Sequence, residues 1–147
     1  MGLPKSHYPR SLADLYSFLE GPPRRFKQTA PAGKTTTTTL TAAELLTGLI
    51  TSNPGGAAAA TYTTPTGTQI ETAMKALKGT WDVDDAFAFS VCNISNNAAE
   101  TTTIAAGAGV TLVGDMTLAA VAAGDTSSGL FLCRKTALNA VTIYRLA

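Results

Sequence analysis

Asp82, Asp84 and Asp85, in the run Trp81-Asp82-Val83-Asp84-Asp85, form the only acidic cluster of the chain. Closely spaced carboxylates are the chemistry that gathers a hard cation such as calcium. The run lacks the glycine and the distal glutamate of a full calcium loop, so it reads as a solvated turn leading into a strand, with Trp81 beside it as a core or interface anchor. Hydrolysis of a glycosidic bond would need two carboxylates facing each other across a cleft about 5 to 9.5 Å wide. Glu71, Asp82, Asp84 and Glu100 are the acids from which such a pair would be drawn. The single histidine, His7, sits in an N-terminal arm, where nothing holds it to the tolerance that acid-base catalysis demands. Without a second histidine, a Cys-His or Ser-His-acid site has no other base. The stretch Gly107-Ala108-Gly109-Val110-Thr111-Leu112-Val113-Gly114 is glycine-rich but lacks the Lys-Ser/Thr pair and the helix of a phosphate loop, and it reads as a hairpin turn. The expectation is therefore no catalytic residue, no metal site and no cofactor, in a chain that is not an enzyme.

Binding chemistry is concentrated elsewhere. Arg24, Arg25 and Lys27, with Phe26 between them, form the best basic cluster. Three cations give only weak, salt-sensitive phosphate binding, so pairing with an acidic patch on a protein partner is preferred, which would also steer assembly. No direct nucleic-acid contact is expected. Upstream, Ser11 to Glu20 is predicted as a short helix, preceded by Pro9, capped by Ser11 with Asp14 in its first turn, and closed by Gly21-Pro22-Pro23. Leu12, Leu15, Tyr16 and Leu19 recur at helical spacing with Phe18 beside them. A helix of that length is marginal alone in water, so its apolar face should be ordered only when docked. These five apolar residues and the three cations are the candidate partner-binding residues.

Charge divides the chain in two. Residues 1 to 34 hold six Lys and Arg against two acids, and residues 35 to 147 hold five against eight. Charged residues are only 14% of the chain, about half of the roughly 25% usual in a soluble domain. A surface that poor in charge suits a protein packed against others. The near-neutral pI of about 7.8 argues against a dedicated nucleic-acid binder. No apolar run is long enough to span a membrane. The N-terminus lacks the apolar stretch of a secretory signal, so folding in a cytoplasm is expected. Cys92 and Cys133 lie in apolar, strand-like runs and are expected as reduced core thiols.

The division predicts a docking arm, residues 1–34, and a β-rich body, residues 35–147. Stretched out, the arm would reach about 115 Å. The body opens on the threonines Thr35 to Thr39, which favour an extended strand. Capping boxes at Thr41/Glu44 and Thr66/Gln69 predict two helices, the first ending at Gly48 and the second burying Ile70, Met74 and Leu77 and closing at Gly79. Strands are predicted at Leu49–Thr51, Thr61–Thr64, Ala86–Asn93, Thr101–Ala105, Val110–Val113, Met116–Val121, Gly129–Arg134 and Ala140–Leu146, the last two separated by Lys135-Thr136. Short strands at regular intervals, without strand and helix alternation, predict a mainly β fold: an antiparallel, jelly-roll-like sandwich with one or two short helices.

The body also resembles a known class of proteins. Leu40-Thr41-Ala42-Ala43-Glu44-Leu45-Leu46 with Gly48-Leu49-Ile50, then Tyr62-Thr63-Thr64-Pro65-Thr66 before a helix, then Phe87-Ala88-Phe89-Ser90-Val91-Cys92-Asn93-Ile94 ahead of Gly109-Val110-Thr111-Leu112-Val113-Gly114, is similar to small proteins of tailed-bacteriophage particles, above all the capsid decoration or cement proteins. The resemblance spans residues 35 to 147 and does not include the arm. It implies a compact β-rich body, a homotrimer seated at local three-fold positions on the outer surface of an icosahedral capsid, and a terminal arm clasping the major capsid protein. Such proteins have no catalytic residues. The alternative expectation is another virion component, such as a fibre head, a receptor-binding module or a head-to-tail connector.

Overall fold

The computed structural model describes residues 28–56, 58–123 and 127–147. From its first strand the chain alternates between two sheets. Strands β1 (Ala32–Lys34), β3 (Leu49–Ser52), β5 (Ala86–Asn93) and β7 (Val110–Val113) enter one sheet, and β2 (Thr38–Thr39), β4 (Ala60–Thr63), β6 (Thr102–Ala105) and β8 (Thr117–Leu118) enter the other. The final strands, β9 (Ser128–Ala137) and β10 (Ala140–Arg145), form a hairpin wedged between β5 and β7. The larger sheet thus has the order β1-β3-β5-β9-β10-β7, and the smaller β2-β4-β6-β8.

The fold is mainly β, as expected, but its sheets are mixed and not antiparallel. Five of the eight pairings are parallel: β1 with β3, β3 with β5, β2 with β4, β4 with β6, and β7 with β10. Parallel neighbours need a crossover between them. Here each crossover passes through the opposite sheet, so a strand returns to its own sheet running the same way. The Gly107–Gly109 stretch, expected as a hairpin turn, instead carries the chain from β6 of the smaller sheet to β7 of the larger.

Two helices sit in equivalent places, where the chain passes from the smaller to the larger sheet: α1 (Ala42–Leu46) after β2 and α2 (Gly67–Lys78) after β4. Both begin with the predicted capping boxes, at Thr41/Glu44 and Thr66/Gln69. Gly48 and Gly79 follow their C-terminal ends at φ of 79° and 81°, a region glycine enters without a Cβ penalty. Leu45, Ile70 and Met74 are buried, but Leu77, expected beside them, is 63% exposed. The last turn of α2 extends past the core, and residues 75 to 78 are all exposed.

One apolar cluster draws on both sheets and both helices, including Ile50, Phe89, Val91, Phe131, Val141 and Ile143 from the larger sheet and Tyr62, Ile104 and Leu118 from the smaller. An aromatic row runs through it, with Phe89 stacked on Phe131 at 5.2 Å and Trp81 against Phe87 at 5.9 Å. Trp81 is therefore a core residue. Polar groups also cross between the sheets. The Ser52 hydroxyl lies 2.6 Å from both the Tyr62 phenol and the Thr102 hydroxyl, and Tyr62 donates to the Lys34 carbonyl at 3.3 Å. One direction satisfies every group: Thr102 donates to Ser52, Ser52 to Tyr62, and Tyr62 to the backbone. Each such buried hydroxyl would cost about 1 to 3 kcal/mol if left unpaired, so the network pins strand register. Burial pushes the Tyr62 phenol above its ordinary pKa, which keeps its donor proton in place.

Several boundaries differ from expectation. The threonine run yields only Thr38–Thr39 as strand. Met116–Val121 yields Thr117–Leu118 and a 3-10 turn at Val121–Ala123. Lys135-Thr136 is not a separator: β9 continues to Ala137, and the turn falls at Leu138-Asn139, with Asn139 at φ 57°. Lys135 stays in the strand because its ammonium has buried partners, described below. Ala32–Lys34, within the segment read as the arm, is an edge strand of the larger sheet. The predicted helix at 11–20 lies outside the described residues.

The start of α2 sets the tightest packing. A Cβ on Gly67 would stand 2.1 Å from the Asn139 carbonyl oxygen, and Gly67 N–H donates to Ala108 at 2.8 Å. Gly67→Ala should lower stability by about 3 kcal/mol or more by denaturant titration, whereas Gly55→Ala, which meets nothing within 4 Å, should change it by less than about 0.5 kcal/mol. A Gly67→Ala protein as stable as the parent would show that this approach relaxes freely.

Candidate interaction surfaces

Three contacts hold residues 28–34 against the body. Lys34 pairs through its ammonium with Glu44 of α1, and its carbonyl accepts from Tyr62. Further upstream, the Gln28 side-chain amide donates to the Thr47 carbonyl at 2.6 Å. Glu44 serves two partners, since its second oxygen accepts from Thr41 N–H at 2.9 Å in the capping box. Lys34 first, and then the Thr41 backbone, hold its carboxyl below the usual range.

Beside this root lies an apolar groove of about 500 Å³ between the helices, lined by Ala43 and Leu46 of α1, by Ala73, Ala76 and Leu77 of α2, and by Thr29 and Thr47 at the rim. The exposure of Leu77 makes the groove, because its side chain forms one wall and has no core neighbour to cover it. Sequence periodicity placed Leu77 on the buried stripe, and only the length of the core shows that the stripe overshoots.

The second surface is the outer face of the larger sheet. Strand alternation and register put Thr51 beside Cys92, Cys92 beside Ser128, Ser90 between Leu49 and Leu130, Ala88 beside Leu132, and Thr142 beside Thr111. Tyr144 continues the row between Leu132 and Val113. None of these residues is buried. Arg134 is the only charged side chain among the strand residues of this face, and it pairs with Asp84. That ion pair first, and a bond with Tyr144 second, raise the guanidinium pKa further. Cys92, expected in the core, instead belongs to this face and is half-buried, while Cys133 points inward and is fully buried. Burial pushes the Cys133 thiol up to about 12, so it behaves as an inert small apolar group. Both thiols are free.

Behind the groove, a buried carboxylate ties α2 to the hairpin. Glu71 has one oxygen 2.6 Å from the Lys75 ammonium and 3.0 Å from that of Lys135, and its other oxygen accepts from Asn139 N–H at 2.7 Å. Lys135, itself buried, also donates to the Trp81 carbonyl at 2.6 Å. The ionised carboxylate thus joins one helix, the strand β9 and the hairpin turn. No sequence pattern announced it, although Glu71 and Lys75 stand at helical i,i+4 spacing.

The acids and glycines of the body singled out from sequence make contacts within the fold. Asp82, Asp84 and Asp85 form a turn in which Asp82 N–H donates to the Asp85 carboxylate at 2.8 Å, and Asp84, at φ 78°, pairs with Arg134. Among the described residues, no group of three or more His, Cys, Asp or Glu side chains is placed to hold a metal. Glu71, held ionised by two lysines, is in the wrong state for the general acid of a glycosidase. Glu100 is buried and accepts from the Ser95 hydroxyl. The glycine-rich stretch serves close packing: a Cβ on Gly107 would lie 2.4 Å from the Thr64 carbonyl oxygen, and Gly109 accepts from Val141 N–H. Leu12, Leu15, Tyr16, Phe18, Leu19, Arg24, Arg25 and Lys27, together with His7, lie outside the described residues.

No protein-family model, curated protein or solved structure matches the chain.

Glu71 makes stability depend on pH. Lys75 first, then the Asn139 N–H and Lys135, bring its carboxyl from the ordinary 4.5 down to about 2. A carboxylate whose folded pKa is depressed contributes stability that is complete above its unfolded value and is lost as pH falls through its folded one. The urea midpoint should therefore drop between pH 4.5 and pH 2. Glu71→Gln should be less stable at neutral pH and show a smaller drop over the same window. An equal drop in the variant would mean that other carboxylates carry it.

Proposed function

We propose that this protein is a structural virion component that decorates and stiffens an icosahedral phage capsid, binding the outer shell as a homotrimer through its body and its N-terminal arm. The observation that carries this reading is the outer face of the larger sheet, which offers apolar, small and hydroxyl side chains with a single charge that is already paired. Six strands about 4.8 Å apart make a face roughly 25 Å across. With strands of up to ten residues, that is of the order of the roughly 800 Å² per partner buried in a stable protein interface. Sister copies or the major capsid protein would cover it. In this reading the two sheets are the layers of a sandwich, and its uncharged exterior is shielded by assembly.

The arm root supports the same reading. Gln28, Lys34 and Glu44 hold the segment that directly follows residues 1–27 against the body. Once a trimer touches a shell, each arm binds at high local concentration, so weak contacts add up to slow release. Leu12, Leu15, Tyr16, Phe18 and Leu19 would anchor the arm, and Arg24, Arg25 and Lys27 would meet acidic groups of the capsid. The protein would act on the outer capsid surface after assembly in the host cytoplasm, without enzymatic activity.

Sedimentation of the purified protein should show a trimer. Leu130→Lys, on the exposed face opposite Ser90, should shift it towards monomer while leaving its circular dichroism spectrum that of the folded parent. A parent that sediments as a monomer would remove the self-association from this reading. Electron microscopy of particles should find copies over the whole shell, and density confined to the tail would favour a fibre or connector instead.

A further inference from the structure

We propose that in the free protein the groove between α1 and α2 is occupied by residues 11–20 of the same chain, folded back as a helix. The inference does not depend on the capsid reading. It starts from where the described chain begins. Gln28 is bonded to Thr47 at the groove rim, and Thr29 lines the groove itself. The remaining residues, 1–27, are therefore tethered at the mouth of an apolar site and not at a distant point.

Length and shape agree. Eight residue steps separate Glu20 from Gln28, and they span at most about 29 Å. A ten-residue helix is about 15 Å long, so the segment reaches back along the groove without strain. Ala43, Ala73 and Ala76 keep its floor low enough for another helix to approach. A cavity of about 150 Å³ admits one benzene, so a groove of about 500 Å³ accepts side chains such as Leu12, Leu15 and Leu19. Leu77 gains the cover that its own fold does not give it. Glu20 in the segment also suits the end of α2, where Lys78 lies in the last turn and Lys75 is already paired with Glu71.

The tether decides between occupants. A short flexible linker holds its segment at millimolar effective concentration, above that of a sister copy in dilute solution. The bound arm keeps its apolar face covered until a partner competes for it, and the same segment then becomes available for docking.

Hydrogen exchange on the full-length protein tests this. Amides of residues 12–19 should exchange about tenfold or more slowly than expected for unprotected positions, to the same degree at every protein concentration. Leu77→Asp, at a position with no core role, should remove the protection at 12–19 and leave β5 and β9 unchanged. Leu15→Asp, on the other partner, should remove the same protection and leave α2 unchanged. Unprotected 12–19 amides in the parent would overturn the proposal, as would protection that survives both substitutions. Protection that grows with concentration would overturn it in favour of an arm exchanged between copies. Shell binding plays no part in any of these outcomes, so the proposal and the capsid reading can fail separately.

Discussion

Glu71 sits where two parts of the chain that are far apart in sequence, α2 and the β9–β10 hairpin, must meet. Its carboxylate takes an ammonium from its own helix, an ammonium from β9 and a backbone N–H from the hairpin turn. Breaking such a buried pair would leave Lys135 charged without its counter-ion, a costly state in a low-dielectric interior. Around this point Gly67, Gly109 and Asn139 bring backbone against backbone. The carboxylate and the glycines answer one requirement: the hairpin must be held at a fixed height between β5 and β7, because both neighbours take their register from it. The aromatic row, the outer face and the groove all inherit their positions from that register.

Local signals were legible in the sequence where they act over a few residues. Both capping boxes, the glycines that end the helices and the strand Ala86–Asn93 were read from spacing and turn chemistry, and the structure has them. Strand direction was not legible. Parallel pairing is normally announced by helices between strands, and here opposite-sheet strands do that work, so the periodicity looked like that of an antiparallel sandwich. Lys135 illustrates a second limit. A lysine beside a threonine marks a turn unless a buried partner waits for it, and that partner lies 64 positions earlier at Glu71. Leu77 lies on an apolar helical stripe that outruns the core, whereas Cys92 lies in an apolar run whose period-2 alternation turns it to the face opposite Phe89 and Val91.

The chain's scarcity of charge has a physical location. Among the described residues, the ion pairs lie at the root of the arm, around Glu71 and between Arg134 and the turn at Asp84. What remains on the broad sheet face is unable to repel a close neighbour electrostatically. An uncharged, flat sheet invites association unless its edges are managed, and the short strands β1 and β7 at its two edges leave little length for edge-to-edge pairing. In the proposed reading, contact would therefore run through the face and not through the edge.

The inserted hairpin also bears on how the molecule is made. Synthesis delivers β1 to β8 first, yet β5 and β7 have no lasting neighbour between them until residue 145 has emerged from the ribosome. The growing chain must carry its half-built sheet, rich in threonine and valine, through most of translation without pairing wrongly, a hazard typical of long-range β topologies. A nascent polypeptide stalled before the hairpin would lack the wedge altogether, so chaperone demand should centre on the interval between the appearance of β7 and that of β10.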